Sequence, residues 1–444
     1  MDNWDFPWVK EVGCRKAPAS DRVFEVNDFG AVGDGVAIST AAIQRALDEA
    51  EKQGGGIVRL SPGIYRSGSL FIGNNTTFDI PKGSVLRGLN DIAAYPVIKT
   101  RVAGFEIEWP AALINIIDKQ CSAITGEGII DGDGKVFWDD FWEKTNNYYT
   151  PNGLRWASDY DCRRPRGILI QNCSDIRVDG VVIFRAGFWS LHILYSHHVT
   201  AENICIANNI GGRGPSTDGI DIDSSEYVLV QNSRIDCNDD NFCLKAGRDA
   251  DGLRVNRPTR YVLLRNCRAD RGCGLVTFGS ETSGGISDIL VENMTARHTG
   301  VGMKFKSGLT RGGYVRDIYI RNVNLSEVGK VIDFDLNWFP ESMVKLPESF
   351  AGKPIPEHWK VMTLPVVPPE RGIPVFSDLH FRDIAGDKCR IALSGNASTQ
   401  IPLRNLTFER CRISAKESGN AGYAENVRFI DSEFLGEDGS RLTE

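Results

Sequence analysis

The sequence predicts an all-β protein, a right-handed single-stranded parallel β-helix with a capping helix at its N-terminal end. Two observations lead to this prediction: a short strand pattern recurs along most of the chain, and only one segment has a convincing helical pattern. The composition, with 41% hydrophobic and 25% charged residues, excludes a disordered or collagen-like chain. A length of 444 residues leaves the number of domains open, because repetitive β architectures form single units of this size.

The recurring pattern is a strand of alternating apolar residues, followed by Asn or Asp and then by a second short strand. Most copies lie about 21 to 34 residues apart, which fits one coil of a parallel β-helix. The alternation directs Ile, Val and Leu inward, and the Asn and Asp residues are expected to stack at turns. Leucine-rich repeats share this spacing, but the sequence lacks their Leu-rich consensus and their regular helices. The copies begin at Asp175, Val199, Tyr227, Tyr261, Asp288, Asp317, Asp378, Asn405 and Asn426.

The amphipathic helix is predicted from Ser39 to Gln53. Ser39 or Thr40 can cap its first turn, and the glycines from Gly54 to Gly56 end it. Because the open end of a solenoid must be covered, we place this helix as the N-terminal cap. Its apolar face consists of Ala42, Ile43, Ala46, Leu47 and Ala50.

The predicted organisation is an N-terminal extension over residues 1–22 and a single β-helix domain over residues 23–444. Two stretches interrupt the repeat: residues 137–166 are rich in Trp, Tyr and Asp, and residues 338–374 are rich in Pro. Long insertions in a repeat array often form loops on the binding face. We therefore expect both insertions to form walls of a cleft.

Charge and cysteine content exclude several functional classes. The formal charge of -7 is unlike that of nucleic-acid-binding domains, and no apolar run reaches the roughly 18 residues of a membrane-spanning helix. The 11 Cys are scattered, without Cys-x-x-Cys pairs or Cys/His clusters, so no disulfide framework, metal site or cofactor is predicted. Residues 1–10 contain no apolar signal core, so we expect a periplasmic or secreted protein if a signal has been removed, and otherwise a cytoplasmic one.

The densest group of carboxylates lies in the middle of the repeat. Asp218 and Asp239 are about one coil apart and are expected on neighbouring coils, roughly 4.8 Å apart along the axis. Asp240 reaches the same cleft only if the chain bends, because adjacent residues of a flat strand point to opposite faces. Such a group suits glycosidic bond hydrolysis, in which one carboxyl group donates a proton and another activates water. The alternative is that each Asp only binds backbone N–H groups in a turn, and Asp221 and Asp223 are expected to point outward into solvent.

Two lysines follow two coils further on. Lys304 and Lys306 share one face because they are two residues apart, and Arg311 comes shortly after them. Paired cations beside carboxylates suggest a ligand that carries carboxylates itself, such as a uronic acid. The alternative is a solvated basic turn.

In this order and spacing, the motifs resemble those of glycoside hydrolase family 28, the polygalacturonase family of pectin hydrolases. The similarity covers roughly Asp28 to Arg316 and begins with Asp28-Phe-Gly-Ala-Val-Gly-Asp-Gly. The central motifs of the family fall on Ser216-Thr-Asp218, Asn238-Asp239-Asp240 and Lys304-Phe-Lys306.

The resemblance implies a chemical role for each residue. Asp239 would be the general acid, Asp218 and Asp240 would activate the attacking water, and Lys304 and Lys306 would bind a galacturonate carboxylate. It also implies inversion of the anomeric configuration, no metal or other cofactor, and a pectic poly- or oligosaccharide as substrate.

The chain departs from the family at several positions. Cys273 replaces the His of a Gly-His-Gly motif, Ser216 replaces Asn, and Lys304 replaces Arg. A thiol carries no positive charge and donates hydrogen bonds weakly, and Lys lacks the planar fork of Arg, so the substrate is less closely defined than the reaction. His192 resembles a cleft-lining position of the family, and structural packing on Trp189 is the alternative. The candidate substrate-binding residues are Lys304, Lys306, Cys273, Ser216, His192 and Arg311.

The expected activity is inverting hydrolysis of a galacturonate-containing pectic chain, either polygalacturonan or rhamnogalacturonan. The two insertions favour exo action, since endo action needs a groove that is open at both ends. A catalytically impaired carbohydrate-binding β-helix is one alternative, although a binding protein has little use for three mutually repelling acids. A pectate-lyase-like enzyme is the other; it would ordinarily need calcium-binding carboxylates and a base.

Overall fold

The computed structural model describes residues 4–339 and 343–442. Within these ranges the chain winds into a parallel β-helix in which each coil adds a strand to up to three sheet faces. The fold class predicted from the repeat is therefore confirmed. Residues 1–3, 340–342 and 443–444 lie outside the described residues and belong to the predicted extension, the second insertion and the C-terminal end.

Face 1 carries the candidate functional residues, and its strands pair in register with the equivalent strands one coil away. The strands of face 1 are Leu70–Phe71, Ile114–Ile117, Ile168–Gln171, Leu191–Leu194, Ile220–Asp223, Phe242–Lys245, Gly274–Phe278, Val301–Lys306 and Lys330–Asp335.

Faces 2 and 3 complete each coil. Face 2 contains Val23–Glu25, Gly56–Arg59, Thr76–Asp79, Gln120–Thr125, Ser174–Asp179, His197–Glu202, Glu226–Gln231, Thr259–Arg265, Leu403–Glu409 and Ala424–Ile430. Face 3 contains Asp34–Ile38, Gly63–Ser67, Ser84–Gly88, Ile129–Asp131, Val182–Phe184, Cys205–Ala207, Arg234–Asp236, Arg268–Arg271 and Glu433–Gly436. Longer strands continue from one face to the next: Ile286–Arg297, Tyr314–Ser326, Val375–Ala397 and Arg412–Gly422. Arg441–Leu442 pairs antiparallel with the last strand of face 3.

The turns between faces 2 and 3 are held by stacked Asn side chains, as the repeat predicted. Asn266, Asn293 and Asn322 adopt left-handed backbone conformations with φ of 54°, 56° and 53°. Asn is one of the few residues that tolerate this region. The Asn293 amide donates to Asn266 at 3.0 Å, and the Asn322 amide donates to Asn293 at 2.6 Å. The same residue type therefore supplies both the turn geometry and the contact between coils.

The capping helix, α1, runs from Thr40 to Lys52, and the five apolar residues predicted for its inner face are all buried. Gly54 and Gly55 follow it with φ of 87° and 123°, which suits glycine. The predicted cap is wrong for Ser39, because its hydroxyl exchanges hydrogen bonds with the backbone of Val32 instead of binding the first turn.

The insertions contain helices that the sequence analysis did not predict, because their many aromatic residues form no clear apolar stripe. They are α2 (Lys135–Lys144), a π-helical turn (Thr145–Tyr149), α3 (Arg155–Asp161) and α5 (Trp359–Met362), whereas α4 (Asp249–Val255) lies outside both insertions. Shorter 3-10 turns are Pro7–Lys10, Val26–Phe29, Ile92–Ala94, Glu348–Phe350 and Pro369–Gly372.

An antiparallel hairpin lies outside the β-helix and shares a second hydrophobic core with both insertions. Its strands, Val97–Val102 and Phe105–Pro110, are joined by Ala103 and Gly104. Both turn residues have positive φ, at 42° and 90°, as the tight turn of a two-residue hairpin requires. We call this element the 97–110 hairpin.

The segment before the first strand lies along face 2. The N–H groups of Gly13, Cys14 and Arg15 donate to the Tyr227 carbonyl, the Thr200 hydroxyl and the Asp175 carboxylate at 2.9, 2.8 and 2.9 Å. Phe6 packs on Tyr319 and Trp8 packs on Tyr261, with ring centroids 4.5 and 5.9 Å apart. The segment therefore crosses several coils in succession.

Two further observations concern chain chemistry. In the described ranges, no helix is long and apolar enough to cross a bilayer. All eleven cysteines of the chain fall within these ranges, and each has a free thiol.

Candidate active site

Three carboxylates meet on face 1. One carboxylate oxygen from each of Asp218, Asp239 and Asp240 lies within 4.8 Å of the others. The neighbouring coils are joined by a 2.9 Å hydrogen bond from the Gly219 N–H to the Asp240 carbonyl. The chain bends at Asp239, and the Asp240 N–H donates to the Asp239 carboxylate at 2.9 Å. This bend brings two adjacent side chains into one cleft.

Asp240 is held by the two lysines of the next motif. The ammonium nitrogens of Lys304 and Lys306 lie 3.3 and 2.8 Å from its two carboxylate oxygens. Burial alone would raise the pKa of Asp240, but the two lysines outweigh burial and hold the pKa well below its usual range. Asp240 is therefore ionised, and the lysines already have a protein carboxylate as partner.

A third lysine, Lys245, neutralises the other side of the cluster and was missed by the sequence analysis. Its ammonium nitrogen lies 3.8 Å from Asp218, 3.7 Å from Asp221 and 3.4 Å from Glu281. Period-two alternation could have found it, because Lys245 pairs with Asp223 one coil away and so lies on the same face as the acids.

Asp218 and Asp239 are the carboxyl groups that favour a proton. Burial, followed by repulsion from neighbouring carboxylates, raises the pKa of both groups. Asp239 is the only one of the three carboxylates that is partly exposed, whereas Asp218 and Asp240 are buried. The cluster thus combines an ionised carboxylate with carboxyl groups that retain a proton at higher pH than an ordinary Asp.

Two trios of possible metal ligands overlap here: Asp218, Asp239 and Asp240, and Asp218, Asp221 and Cys243. Each trio faces lysine ammonium groups at the distances given above. Those lysines supply the positive charge that a cation would bring.

The expectation that Asp221 and Asp223 are solvated is wrong. Both point away from the β-helix interior, as the alternation requires, but both are fully buried because the insertions and the 97–110 hairpin cover this part of face 1. Arg101 of the hairpin binds Asp223 at 2.8 Å, and with His192 it overcomes the effect of burial and lowers the Asp223 pKa to about 2. Burial raises the pKa of Asp221 to about 8, and neither of its carboxylate oxygens has a hydrogen-bond donor.

His192 does not line the cleft. It packs on Trp189 instead, which was the alternative interpretation of this residue. Its side chain is fully buried, and its ring meets the Trp189 ring edge-on with centroids 4.7 Å apart. Nδ1 lies 2.8 Å from a nitrogen of Arg166, which can only donate, so Nδ1 accepts this bond. Burial lowers the pKa of His192 to about 4, and the ring is neutral at ordinary pH. His192 therefore supports Trp189, which does line the cleft.

Asp218 and Asp239 line a cavity of about 180 Å³. Ser216 lies at its wall and donates to Asp159 of α3 at 3.0 Å, and Arg311 is held by Asp249. The Trp338 ring covers the lysines, with its centroid 4.6 Å from the ammonium nitrogen of both Lys304 and Lys306. The cavity is lined by Ala103, Arg155, Asp159, Tyr160, Phe188, Trp189, Ser216, Asp218, Asp239, Lys245, Arg248, Ser280, Glu281, Lys306, Arg311, Trp338 and Phe339.

Cys273 lies beside the cluster. Its N–H donates to the Asp239 carbonyl at 2.8 Å, and its sulfur lies 3.6 Å from the Asn238 carbonyl. The negative charge of Asp239, followed by burial, raises the pKa of the thiol to about 12. The side chain is therefore a neutral thiol.

We expect Cys273→Ala to keep substantial activity, because a neutral thiol is a poor acid, base or hydrogen-bond donor at this position. The loss in hydrolysis rate should be far smaller than the about 10²-fold minimum for losing a general acid. Steady-state rates of Cys273→Ala and Cys273→Ser provide the measurement. A loss as severe as that of Asp239→Asn, with the fold unchanged, would assign the thiol a direct catalytic role.

The site is thus a carboxylate cluster in a cleft on one face of a parallel β-helix. The model of glycosyl hydrolases family 28 matches residues 98–350, and a model described as rhamnogalacturonase A/epimerase, pectate lyase-like, matches residues 23–99. The chain belongs to glycosyl hydrolases family 28. The family predicted from the motifs is confirmed.

Curated relatives agree with this assignment, and a solved structure shares the fold. A probable polygalacturonase of Vitis vinifera is 30% identical over 71% of this chain and 62% of its own length. An exo-poly-alpha-D-galacturonosidase of Dickeya chrysanthemi is 27% identical over 70% of this chain and 56% of its own length. The match thus spans less than two thirds of these relatives. An exopolygalacturonase of Thermotoga maritima has the same fold, with a TM-score of 0.79 at 23% identity over 98% of this chain and 96% of that chain.

Proposed function

We propose that the protein is an O-glycosyl hydrolase that removes sugar units from the end of a galacturonate-containing chain. The main support is a cluster of three carboxylates, one of them bound by two lysines, at a cavity that Asp218 and Asp239 line. The names of the Dickeya and Thermotoga proteins, an exo-poly-alpha-D-galacturonosidase and an exopolygalacturonase, agree with this proposal.

In the proposed reaction, Asp239 gives its proton to the glycosidic oxygen as the bond to the anomeric carbon breaks. Asp240 takes a proton from a water molecule that Asp218 also contacts, and the oxygen of this water forms the new bond to that carbon. Asp239 suits the acid role because its raised pKa retains the proton and because its side chain reaches the cavity. Asp240 suits the base role because its two lysines keep it ionised.

The proposal includes inversion at the anomeric carbon, and the carboxylate spacing makes this feature worth measuring. The three nearest oxygens lie within 4.8 Å, whereas paired carboxyls of inverting hydrolases are commonly about 6.5–9.5 Å apart. In the proposed reaction both Asp218 and Asp240 contact the attacking water. The water therefore need not lie directly between the acid and a single base. Proton NMR of the first product formed will distinguish inversion from retention.

The exo mode rests on how the cavity is closed. The tip of the 97–110 hairpin reaches Arg248, whose N–H donates to the Gly104 carbonyl at 3.0 Å. A Cβ on Gly104 would lie 2.3 Å from the Arg248 Cβ, so the contact excludes any larger residue. The Tyr160 hydroxyl of α3 donates to the Ala103 carbonyl at 2.9 Å and fixes the tip from the other side. Ala103, Tyr160 and Arg248 all line the cavity, and in the proposed exo mode this wall stops the substrate chain.

We expect that shortening the 97–110 hairpin to its first and last residues joined by Asn-Gly will convert exo into endo cleavage. Removing the hairpin tip removes the proposed stop for the substrate chain, so glycosidic bonds within the chain can reach the carboxylates. Product sizing on polygalacturonan should change from short products to a broad ladder, with faster loss of viscosity per bond broken. Tyr160→Phe, which removes only the hydroxyl that holds the tip, is a milder companion that keeps the ring. An unchanged product size from a folded hairpin variant would refute the end-wall role.

The activity itself is tested by a reducing-sugar assay with product sizing on polygalacturonan and rhamnogalacturonan oligosaccharides. Hydrolysis creates a reducing end without an unsaturated sugar, whereas a lyase releases a product that absorbs ultraviolet light. Binding without any product would support the impaired carbohydrate-binding alternative. The panel also determines the scissile linkage.

A further inference from the structure

A second cavity, of about 570 Å³, lies at the body of the 97–110 hairpin, whose tip closes the active cavity. It is larger than the cavity that contains the carboxylates, yet none of the proposed catalytic residues lines it. We propose that this second groove binds a uronate-bearing oligosaccharide without cleaving it. The choice of ligand rests on the proposed function, whereas the groove itself does not. The residues that carry the argument are Lys99, Ile107, Gln171, Asn172, Tyr195 and Arg257.

Two cations line the groove, and neither forms an ion pair within 4.0 Å among the residues that the structure describes. Arg257 is half-buried and donates to the Tyr195 carbonyl at 2.8 Å, and its guanidinium lies 5.1 Å from the Tyr195 ring centroid. Lys99 is exposed on the hairpin and forms no ion pair there. A half-buried arginine without a carboxylate partner is a ready site for an anionic ligand.

The acids of the groove do not cancel both cations. Glu106 is already occupied, because it binds Arg254 and accepts the Tyr195 hydroxyl at 2.8 Å. Glu108 lies opposite Lys99 in the hairpin register, so it can oppose one cation at most. Glu226 attracts Arg257 from outside the groove but is itself paired with Arg260, so the Arg257 guanidinium can still bind a ligand.

The remaining groups match the rest of a sugar ring. Gln171 is more than nine-tenths buried, and its side-chain oxygen has no hydrogen-bond donor while its nitrogen donates to the Lys99 carbonyl at 3.2 Å. A sugar hydroxyl is a suitable donor for this buried acceptor. Asn172 adds an exposed amide, and Ile107 adds an apolar surface for the ring. A uronate combines a carboxylate, hydroxyl groups and an apolar ring face, and therefore uses all of these groups.

The position of the groove indicates its use. The hairpin separates it from the carboxylates, so a saccharide bound there is not the one being cleaved. The protein carries a formal charge of -7 and repels a polyanionic substrate at long range. A separate site with a local cation can hold the enzyme on its polymer between cleavage events, which raises the effective concentration of chain ends.

The test uses the full chain with Asp239→Asn, so that no sugar is consumed, and trigalacturonate as the probe. Hydrogen exchange followed by mass spectrometry should show protection over residues 168–173 and 255–260, in addition to the active cavity. Adding Arg257→Ala or Lys99→Ala should raise the trigalacturonate concentration that gives half of the full protection at least about fivefold. This is the effect expected for the loss of one charge-assisted hydrogen bond. Arg234→Ala is the control, because Arg234 is an exposed arginine that is paired with Asp270 and lines neither cavity.

Protection confined to the active cavity, or equal protection in Arg257→Ala and Lys99→Ala, would overturn the inference. Equal protection by neutral galactotriose or by inorganic phosphate would overturn the choice of ligand. The outcomes for the two sites are separable. Hydrolysis by the unmodified chain without groove protection refutes only this inference, and groove protection without any hydrolysis refutes only the proposed function.

Discussion

Asp239→Asn is expected to remove nearly all hydrolysis, with a rate loss of about 10²- to 10⁴-fold or more. Asn retains the shape of the side chain and an oxygen that can accept the Asp240 N–H, but it has no proton to give to the leaving oxygen. The raised pKa and partial exposure of Asp239 make it the carboxyl group best suited to that task. Initial rates of reducing-end release on the best substrate provide the measurement.

The matched control for this prediction is Asp236→Asn, three residues earlier. Asp236 is paired with Arg271 on the outer surface and does not line the cavity, so its change should leave the rate nearly unaltered. Thermal unfolding should confirm that both variants are folded. A rate for Asp239→Asn within threefold of the unmodified enzyme would remove Asp239 from the acid role.

Lys306→Met is expected to lower kcat/KM by about 10- to 150-fold, the equivalent of roughly 1.5 to 3 kcal/mol for a hydrogen bond to a charged group. Burial works against the ionised form of Asp240, and Lys304 and Lys306 keep its pKa low in spite of it. Removing one lysine therefore raises the Asp240 pKa, and less of the base is ionised at a given acidic pH. The acid limb of the pH profile of kcat/KM should move to higher pH.

The substrate dependence of this loss separates two roles for the lysine. If Lys306 acts through Asp240, the variant should lose a similar fraction of kcat/KM on uronate and on methyl-esterified substrates. If Lys306 binds a substrate carboxylate, the loss should be far larger on uronate substrates. Lys330→Met is a suitable control, because Lys330 pairs with Asp333 on the same face but lies outside the cavity. An unmoved acid limb together with a loss confined to uronates would favour direct carboxylate binding.

The repeat could be read from the sequence because each coil obeys local rules. Alternating apolar residues and turn-forming Asn or Asp act within a few residues, and their spacing fixes the neighbouring coil. The same spacing predicted that Asp218 and Asp239 lie on adjacent coils. The position of Asp240 beside Asp239 depends on a bend in the chain that no local sequence pattern predicts.

The parts that sequence analysis missed depend on contacts made across long distances in the chain. Asp221 and Asp223 follow the outward alternation, but the 97–110 hairpin and the insertions bury them, and Arg101 comes from more than one hundred positions away to pair with Asp223. The hairpin did leave a local signal, a glycine in a two-residue turn between alternating strands. Its proposed role as a wall of the cavity depends on long-range contacts of its tip with Tyr160 and Arg248.

The N-terminal segment changes how the solenoid can come apart. In a simple stack of coils each layer touches only its neighbours, so the end layers fray independently of the middle. This segment is fastened to successive layers from Asp175 to Tyr319, with hydrogen bonds to some and ring contacts to others. The layers beneath it include those that carry Asp218, Asp239 and Cys273. If one of these layers unfolds, the N-terminal segment loses a contact that also holds it on the other layers. We therefore expect the layers that carry the cleft to unfold cooperatively rather than one by one.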